Sequence, residues 1–83
     1  MEYTGFARTW DRVVLRGDPA SREFIAFWIA GDLVVAGMNV NVWDVTDAIK
    51  RLIGARVAVD DRSLADLDTP LEALALAAQG RAA

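Results

Sequence analysis

With 83 residues, twelve acidic and nine basic side chains and a formal net charge of −3, the chain has room for one small domain. It contains no cysteine and no histidine, which excludes disulfides, thiolate or imidazole metal sites, and serine–histidine or cysteine–histidine catalysis. Because nucleic-acid affinity comes mainly from clustered lysine and arginine, an acidic chain of this kind is a poor nucleic-acid binder.

The first half of the sequence predicts an antiparallel meander of β-strands. Strands are predicted at 12–16, 23–29 and 33–40, with a further edge strand at 3–6, so the sheet has three to five strands. The run 23–29 is apolar on both faces, which is typical of an inner strand. The pair Gly31-Asp32 fits a two-residue type II′ hairpin, because glycine comes first.

The second half predicts two short helices. Asn41 is the expected N-cap of the first helix, Asp44 stands near its positive end, and Gly54 stops it. Between them the apolar residues recur at helical spacing, namely Val42, Val45, Ile49, Leu52 and Ile53. Thr69 and Pro70 predict the start of the second helix, as cap and first helical residue. The intervening segment, 55–67, is predicted to be a loop.

Strands that precede helices predict an α+β fold in which the two helices pack on the antiparallel sheet. We expect a single domain over 1–83, with its core at about 3–76 and an alanine-rich tail, 77–83, that frays. No apolar run approaches the ~18–20 residues that span a bilayer, and the amino terminus lacks a signal-peptide pattern. We therefore expect a cytoplasmic protein with no membrane partner.

Trp43 is the most informative single residue, because on a helical wheel it falls outside the apolar arc of the first predicted helix. Two interpretations stay open. The ring is either an exposed anchor for a partner surface or a first-turn side chain that leans back over the end of the sheet. Trp10 and Trp28 are expected in the core, and Asn39 is expected to tie two backbone segments together.

No motif in the sequence predicts a catalytic, metal-binding or cofactor-binding site. The six glycines form neither a dinucleotide-binding fingerprint nor a phosphate-binding loop. The aspartates of the segment 60–68 lack the spacing, the turn glycine and the closing glutamate of a calcium loop. The Arg16-Gly17-Asp18 tripeptide is ordinary turn chemistry before a proline, and neither serine has a base or an elbow motif.

A series of short segments, in the right order, carries a resemblance that covers 12–71. They are the segments 11–18, 23–28, 37–45, 63–66 and 69–72. The most specific is the corner 39–44, which reads Asn-Val-Asn-Val-Trp-Asp. In these segments the chain resembles the C-terminal domain of FAD-dependent NAD(P)H:ferredoxin reductases, the group that serves bacterial P450 and ring-hydroxylating dioxygenase systems.

The resemblance implies a role without catalysis. Members of that family use NADH or NADPH to reduce a ferredoxin or rubredoxin through one bound FAD, and their two nucleotide-binding domains precede this segment. The C-terminal domain is an antiparallel sheet with helices that packs on the FAD domain and helps to form the docking surface for the electron carrier. Both nucleotide-binding domains are absent here, so we expect this chain to bind neither FAD nor NAD(P)H and to be a piece of a longer reductase.

The candidate docking residues are Trp43, Asp44, Lys50 and Arg51, with Asn41 holding the helix start. Ferredoxins are acidic, so Lys50 and Arg51 would act as rim contacts that steer the encounter. A domain separated from a larger neighbour would expose an apolar patch, and we therefore expect the isolated chain to form a homodimer. The alternative is a stand-alone dimeric interaction module with no flavoprotein parent.

Overall fold

One four-stranded antiparallel sheet, in the spatial order β1-β4-β3-β2, forms the first layer of the computed structural model, which describes residues 2–82. Its strands are β1 (Glu2–Gly5), β2 (Arg12–Asp18), β3 (Glu23–Ala30) and β4 (Leu33–Val40). A single 3-10 turn, Pro19–Ser21, joins β2 to β3. The predicted strands are confirmed, including the edge strand at the start of the chain, which pairs with β4.

Within residues 2–82, three helices form the second layer, on one face of the sheet. They are α1 (Thr46–Ala55), α2 (Asp61–Ala65) and α3 (Leu71–Ala82). The α+β class is confirmed, although α2 lies where a loop was predicted. No helix between residues 2 and 82 is long and apolar enough to cross a bilayer.

The tail is more ordered than predicted, because α3 continues to Ala82. Ala78 is fully buried, and the Arg81 guanidinium donates a hydrogen bond to the Ala58 carbonyl oxygen at 2.8 Å. The tail that was predicted to fray is therefore helical as far as Ala82. The start of α3 is also displaced, because Thr69 does not cap it and instead donates its hydroxyl to Asp66 Oδ2 at 2.9 Å.

The hairpin between β3 and β4 has the predicted length but not the predicted turn type. Gly31 and Asp32 have φ angles of 55° and 68°, and two positive φ angles define a type I′ turn rather than type II′. The prediction rested on glycine coming first, but aspartate at the second position also tolerates the left-handed region. The type I′ twist also matches the right-handed twist of the flanking strands.

The core lies between β3, β4 and the helices. Its largest fully buried side chains are Phe27, Ile29, Ile49, Leu52 and Leu64. Gly37 on β4 allows α1 to approach the sheet closely, because a Cβ at that position would lie 2.7 Å from Ile49 Cγ2. The helix layer is therefore fixed against the middle of the sheet.

Three of the predicted roles for tryptophan and glycine are wrong, because neither Trp10 nor Trp28 belongs to the core and Gly54 does not end the helix. Trp10 is 51% exposed, in the connection between β1 and β2, and is not part of the core. Trp28 is half-buried, and its ring packs edge-on against Tyr3 with the ring centroids 5.4 Å apart. Gly54 lies inside the last turn of α1 and does not stop it; the helix ends at Ala55 and Arg56 adopts the left-handed cap conformation.

Candidate docking surface

The segment between β4 and α1 is a sharp corner, and Asn39 fastens it from inside. The Asn39 side chain is 2% exposed, and its Nδ2 donates a hydrogen bond to the Val42 carbonyl oxygen at 2.9 Å. This bond joins the end of the strand to the chain that leaves it. The Asn39 Oδ1 atom is buried without a hydrogen-bond partner among the described residues.

Asn41 is not a helix cap, and this is the main correction to the predicted site. Asn41 and Asp44 have φ angles of 53° and 60°, which lie in the left-handed region and cannot continue a right-handed helix. The helix α1 therefore begins only at Thr46. Its N-cap position is Val45, and no side chain caps this end of the helix. The Asn41 Nδ2 instead donates to the Arg22 carbonyl oxygen at 2.8 Å, which ties the corner to the β2–β3 turn.

Trp43 lies between these two left-handed residues and projects into solvent. Its exposure is 69%, whereas the preceding Val42 packs against the core. Of the two interpretations of Trp43, the structure favours the exposed anchor over the side chain that covers the sheet. Asparagine and aspartate tolerate the left-handed region, so the corner can present this ring outside any helix.

Lys50 and Arg51 lie on the exposed side of α1, while Ala48, Ile49 and Leu52 face the sheet. Lys50 is about 6 Å along the helix axis from Thr46, so these two cations follow the corner closely. Trp43, Asp44, Lys50 and Arg51 are all exposed, and we refer to them as the corner surface. Within residues 2–82 none of the four makes a side-chain hydrogen bond or ion pair, which leaves their polar groups free for a partner.

Arg16 is a structural residue that the sequence analysis missed. It is 7% exposed on β2, and its guanidinium donates to the carbonyl oxygens of Leu64, Asp66 and Thr69, with Nη1 at 3.2 Å from the first and 2.8 Å from the second. Burial lowers the pKa of this guanidinium, although the carboxylate of Asp66 opposes the shift. One side chain thereby holds the whole connection between α2 and α3 against the sheet.

Arg12 lies on β2, two residues from Val14 and on the same face of the strand. It attaches the start of α2 to the sheet. Its Nε lies 2.7 Å from Asp61 Oδ2 and its Nη2 lies 2.8 Å from Asp32 Oδ1. The hydrogen bond from Arg12 lowers the pKa of the Asp61 carboxyl group, and burial opposes this shift. Both partners are partly exposed, so the ion pair contributes only modestly to stability.

We expect this ion pair to make the protein sensitive to acid. A carboxyl group whose folded pKa is lowered stabilises the fold above its unfolded pKa, about 3.9 for aspartate, and this stabilisation is lost as the pH falls through the folded value. Asp61→Asn should therefore reduce stability at pH 7 and leave it closer to wild type at pH 3, as measured by urea unfolding. Asp68→Asn, in the same region but without a side-chain partner among the described residues, serves as the control. An equal loss at both pH values would contradict the prediction.

The residues in the described part of the chain do not fit a dinucleotide or a metal ion. The glycines are spread over strands, turns and helices, and none stands in a loop that opens a helix of phosphate-binding type. The buried Arg16, which could otherwise bind an anion, is engaged by backbone carbonyls. Between residues 2 and 82 no three acidic side chains are grouped as metal ligands.

Comparison with known proteins places this architecture in one family. The model of the reductase C-terminal family matches residues 1–75. Putidaredoxin reductase CamA from Pseudomonas putida is 30% identical over 79 residues, which are 95% of this chain and 19% of that protein. The crystal structure of the covalent putidaredoxin reductase–putidaredoxin complex has a TM-score of 0.83 and 31% identity, covering 93% of this chain and 18% of that chain. The chain thus spans about a fifth of the length of the relatives it matches.

Proposed function

The chain belongs to the reductase C-terminal family, and from that membership we propose that it packs on the FAD domain of an NAD(P)H:ferredoxin reductase and shapes the surface on which the ferredoxin docks. The observation that carries the proposal is the similarity to a reductase in covalent complex with its ferredoxin-type partner, over 93% of this chain. The domain itself is non-catalytic. It has no histidine or cysteine to move protons or electrons at a reacting centre.

The redox chemistry of such a reductase belongs to its FAD and NAD(P)H, and these residues do not hold either group. What this chain contributes is recognition. The corner surface combines a large exposed aromatic ring with two cations that have no side-chain partner within residues 2–82. An exposed tryptophan is a frequent anchor of protein interfaces, and cations at the rim steer an acidic partner toward it.

The experiment uses putidaredoxin reductase in which the matched C-terminal segment is replaced by this chain. We call this protein the exchange chimera. Reversing both charges, Lys50→Glu with Arg51→Glu, should lower the rate constant for putidaredoxin reduction about tenfold at low ionic strength, because electrostatic steering is lost. The difference should shrink as salt is added and the screening length falls.

The control is the pair Arg8→Glu with Arg62→Glu, which changes the net charge equally on exposed residues outside α1 and the corner. This pair should leave the rate and its salt dependence close to those of the exchange chimera. A rate that responds equally to the two pairs would show that only net charge matters, and it would contradict docking at the corner surface.

A further inference from the structure

The strand β2 has the reverse of the polarity expected at the surface of a two-layer domain. Arg12, Val14 and Arg16 point toward the helices, as the bonds to α2 and its carbonyls show. The alternate residues Val13 and Leu15 therefore point away from the helices, and they are 44% and 42% exposed. An antiparallel sheet with one face in water normally places polar side chains on that face.

The same pattern extends across all four strands. The strand register aligns Val13 with Trp28, Leu15 with Ala26, and Tyr3 with Met38. None of the residues that the register places on this side of the sheet carries a charge. We refer to this side as the outer sheet face; its large members are Tyr3, Val13, Leu15, Phe24, Trp28, Met38 and Val40. Continuous apolar surface of this kind on a soluble protein marks an interaction site.

The strand β3 independently indicates a second covering layer. It reads Glu-Phe-Ile-Ala-Phe-Trp-Ile-Ala, with Ile25, Phe27 and Ile29 buried under the helices and Phe24 and Trp28 on the outer sheet face. A strand without alternation between polar and apolar residues is typical of a sheet that is covered on both faces. The described residues supply a cover for only one of them.

We propose that the outer sheet face is the surface that packs against the FAD domain of the reductase. This inference rests on the proposed function. The relatives carry about four times as much chain outside the matched segment as within it, so a large neighbour accompanies this domain in them. The absence of charge on the face calls for an apolar partner surface, such as one buried permanently between domains.

The position of the corner surface agrees with this arrangement. The corner follows directly after Val40, which ends β4 at the margin of the outer sheet face. A carrier bound to Trp43 would therefore sit beside the interface with the FAD domain rather than behind the full thickness of this domain. Electron transfer needs the carrier close to the flavin, and docking at this margin would place the carrier beside the domain that holds the flavin.

The test substitutes Leu15→Lys and uses Leu76→Lys as its matched control. Leu15 lies on the outer sheet face, whereas Leu76 is 61% exposed on α3, in the opposite layer. In the free chain both variants should melt within about 3 °C of wild type, because neither leucine is buried there. In the exchange chimera a lysine buried in an apolar interface is strongly unfavourable, so Leu15→Lys should lower the melting temperature by roughly 5 °C or more and reduce the bound flavin. Leu76→Lys should do neither.

Each outcome of this test either supports or overturns the inference. An exchange chimera that keeps its flavin and is unaffected by Leu15→Lys overturns the inference and leaves the proposed function standing. An exchange chimera that binds no flavin overturns both the inference and the proposed function. Three results together would assign the face to a second copy of this chain instead. The free chain is a dimer by light scattering at all concentrations, Leu15→Lys makes it monomeric, and the Leu15→Lys chimera keeps its flavin.

Discussion

Arg16→Met is expected to lower the free energy of unfolding by about 3 kcal/mol, since three backbone carbonyls each lose a hydrogen bond from the guanidinium and each such loss costs roughly 1 kcal/mol. Methionine retains the apolar stem of the side chain, so the effect isolates the guanidinium. Arg16 is the side chain that donates hydrogen bonds to the carbonyl oxygens of Leu64, Asp66 and Thr69. Urea unfolding followed by tryptophan fluorescence measures the loss.

Arg62→Met is the matched control, because Arg62 lies on α2 itself but is exposed and makes no side-chain hydrogen bond within the described chain. It should change the free energy of unfolding by less than about 0.5 kcal/mol. Arg16→Lys should recover only part of the loss, since an ammonium group cannot reproduce the planar fork. If Arg16→Met and Arg62→Met are equally stable, Arg16 does not hold the α2–α3 connection.

Trp43→Ala is expected to raise the KM of the exchange chimera for putidaredoxin roughly 30-fold, which corresponds to a hot-spot contribution of about 2 kcal/mol. The ring is 69% exposed, so its removal should leave the unfolding free energy within about 0.5 kcal/mol of the parent. This combination of lost affinity and kept stability distinguishes a docking residue from a structural one. Steady-state kinetics at several carrier concentrations gives the KM.

Trp10→Ala provides the comparison, because Trp10 is also exposed, at 51%, but lies in the connection between β1 and β2. It should leave the KM for putidaredoxin unchanged. Trp43→Phe, which keeps an aromatic ring of smaller area, should fall between Trp43→Ala and the parent. Equal changes in KM for the two alanine variants would show that exposed aromatic area, and not the corner, determines docking.

The strands could be predicted because their signals are local. Short β-branched or apolar runs separated by glycine, proline and aspartate define 12–16, 23–29 and 33–40 without knowledge of the rest of the chain. The corner could not be predicted in the same way. Asn41 has the residue type of a helix cap, but its side chain donates a hydrogen bond to the Arg22 carbonyl oxygen, 19 residues away. Its left-handed φ also prevents a helix at this position, and α1 begins only at Thr46.

The helix α2 was missed because its support is also distant in sequence. It has only five residues, too few for helical periodicity to show or for the helix to be stable alone. It is held by Arg12 and Arg16 from β2, through bonds to Asp61 and Leu64 that span 49 and 48 positions of the chain. In the sequence these two arginines look like residues of a solvated strand face.

The outer sheet face was also missed, because the sequence does not show which face of the sheet the helices cover. The alternation of β2 indicates that Arg12, Val14 and Arg16 share one face and Val13 and Leu15 the other. It does not indicate which face the helices cover, and the ordinary assumption places the arginines in water. Only the paired registers and the contacts with α2 identify the apolar side as the uncovered one.

The most direct measurement of the central claim is the activity of the exchange chimera. If this chain is a reductase C-terminal domain that packs on the FAD domain and shapes the docking surface, the chimera should bind one FAD per chain and reduce putidaredoxin with NAD(P)H. Putidaredoxin reductase that lacks the matched segment should reduce putidaredoxin far more slowly. A chimera that binds FAD and reduces a small-molecule acceptor, but passes electrons to putidaredoxin no faster than the truncated reductase, would contradict the claim.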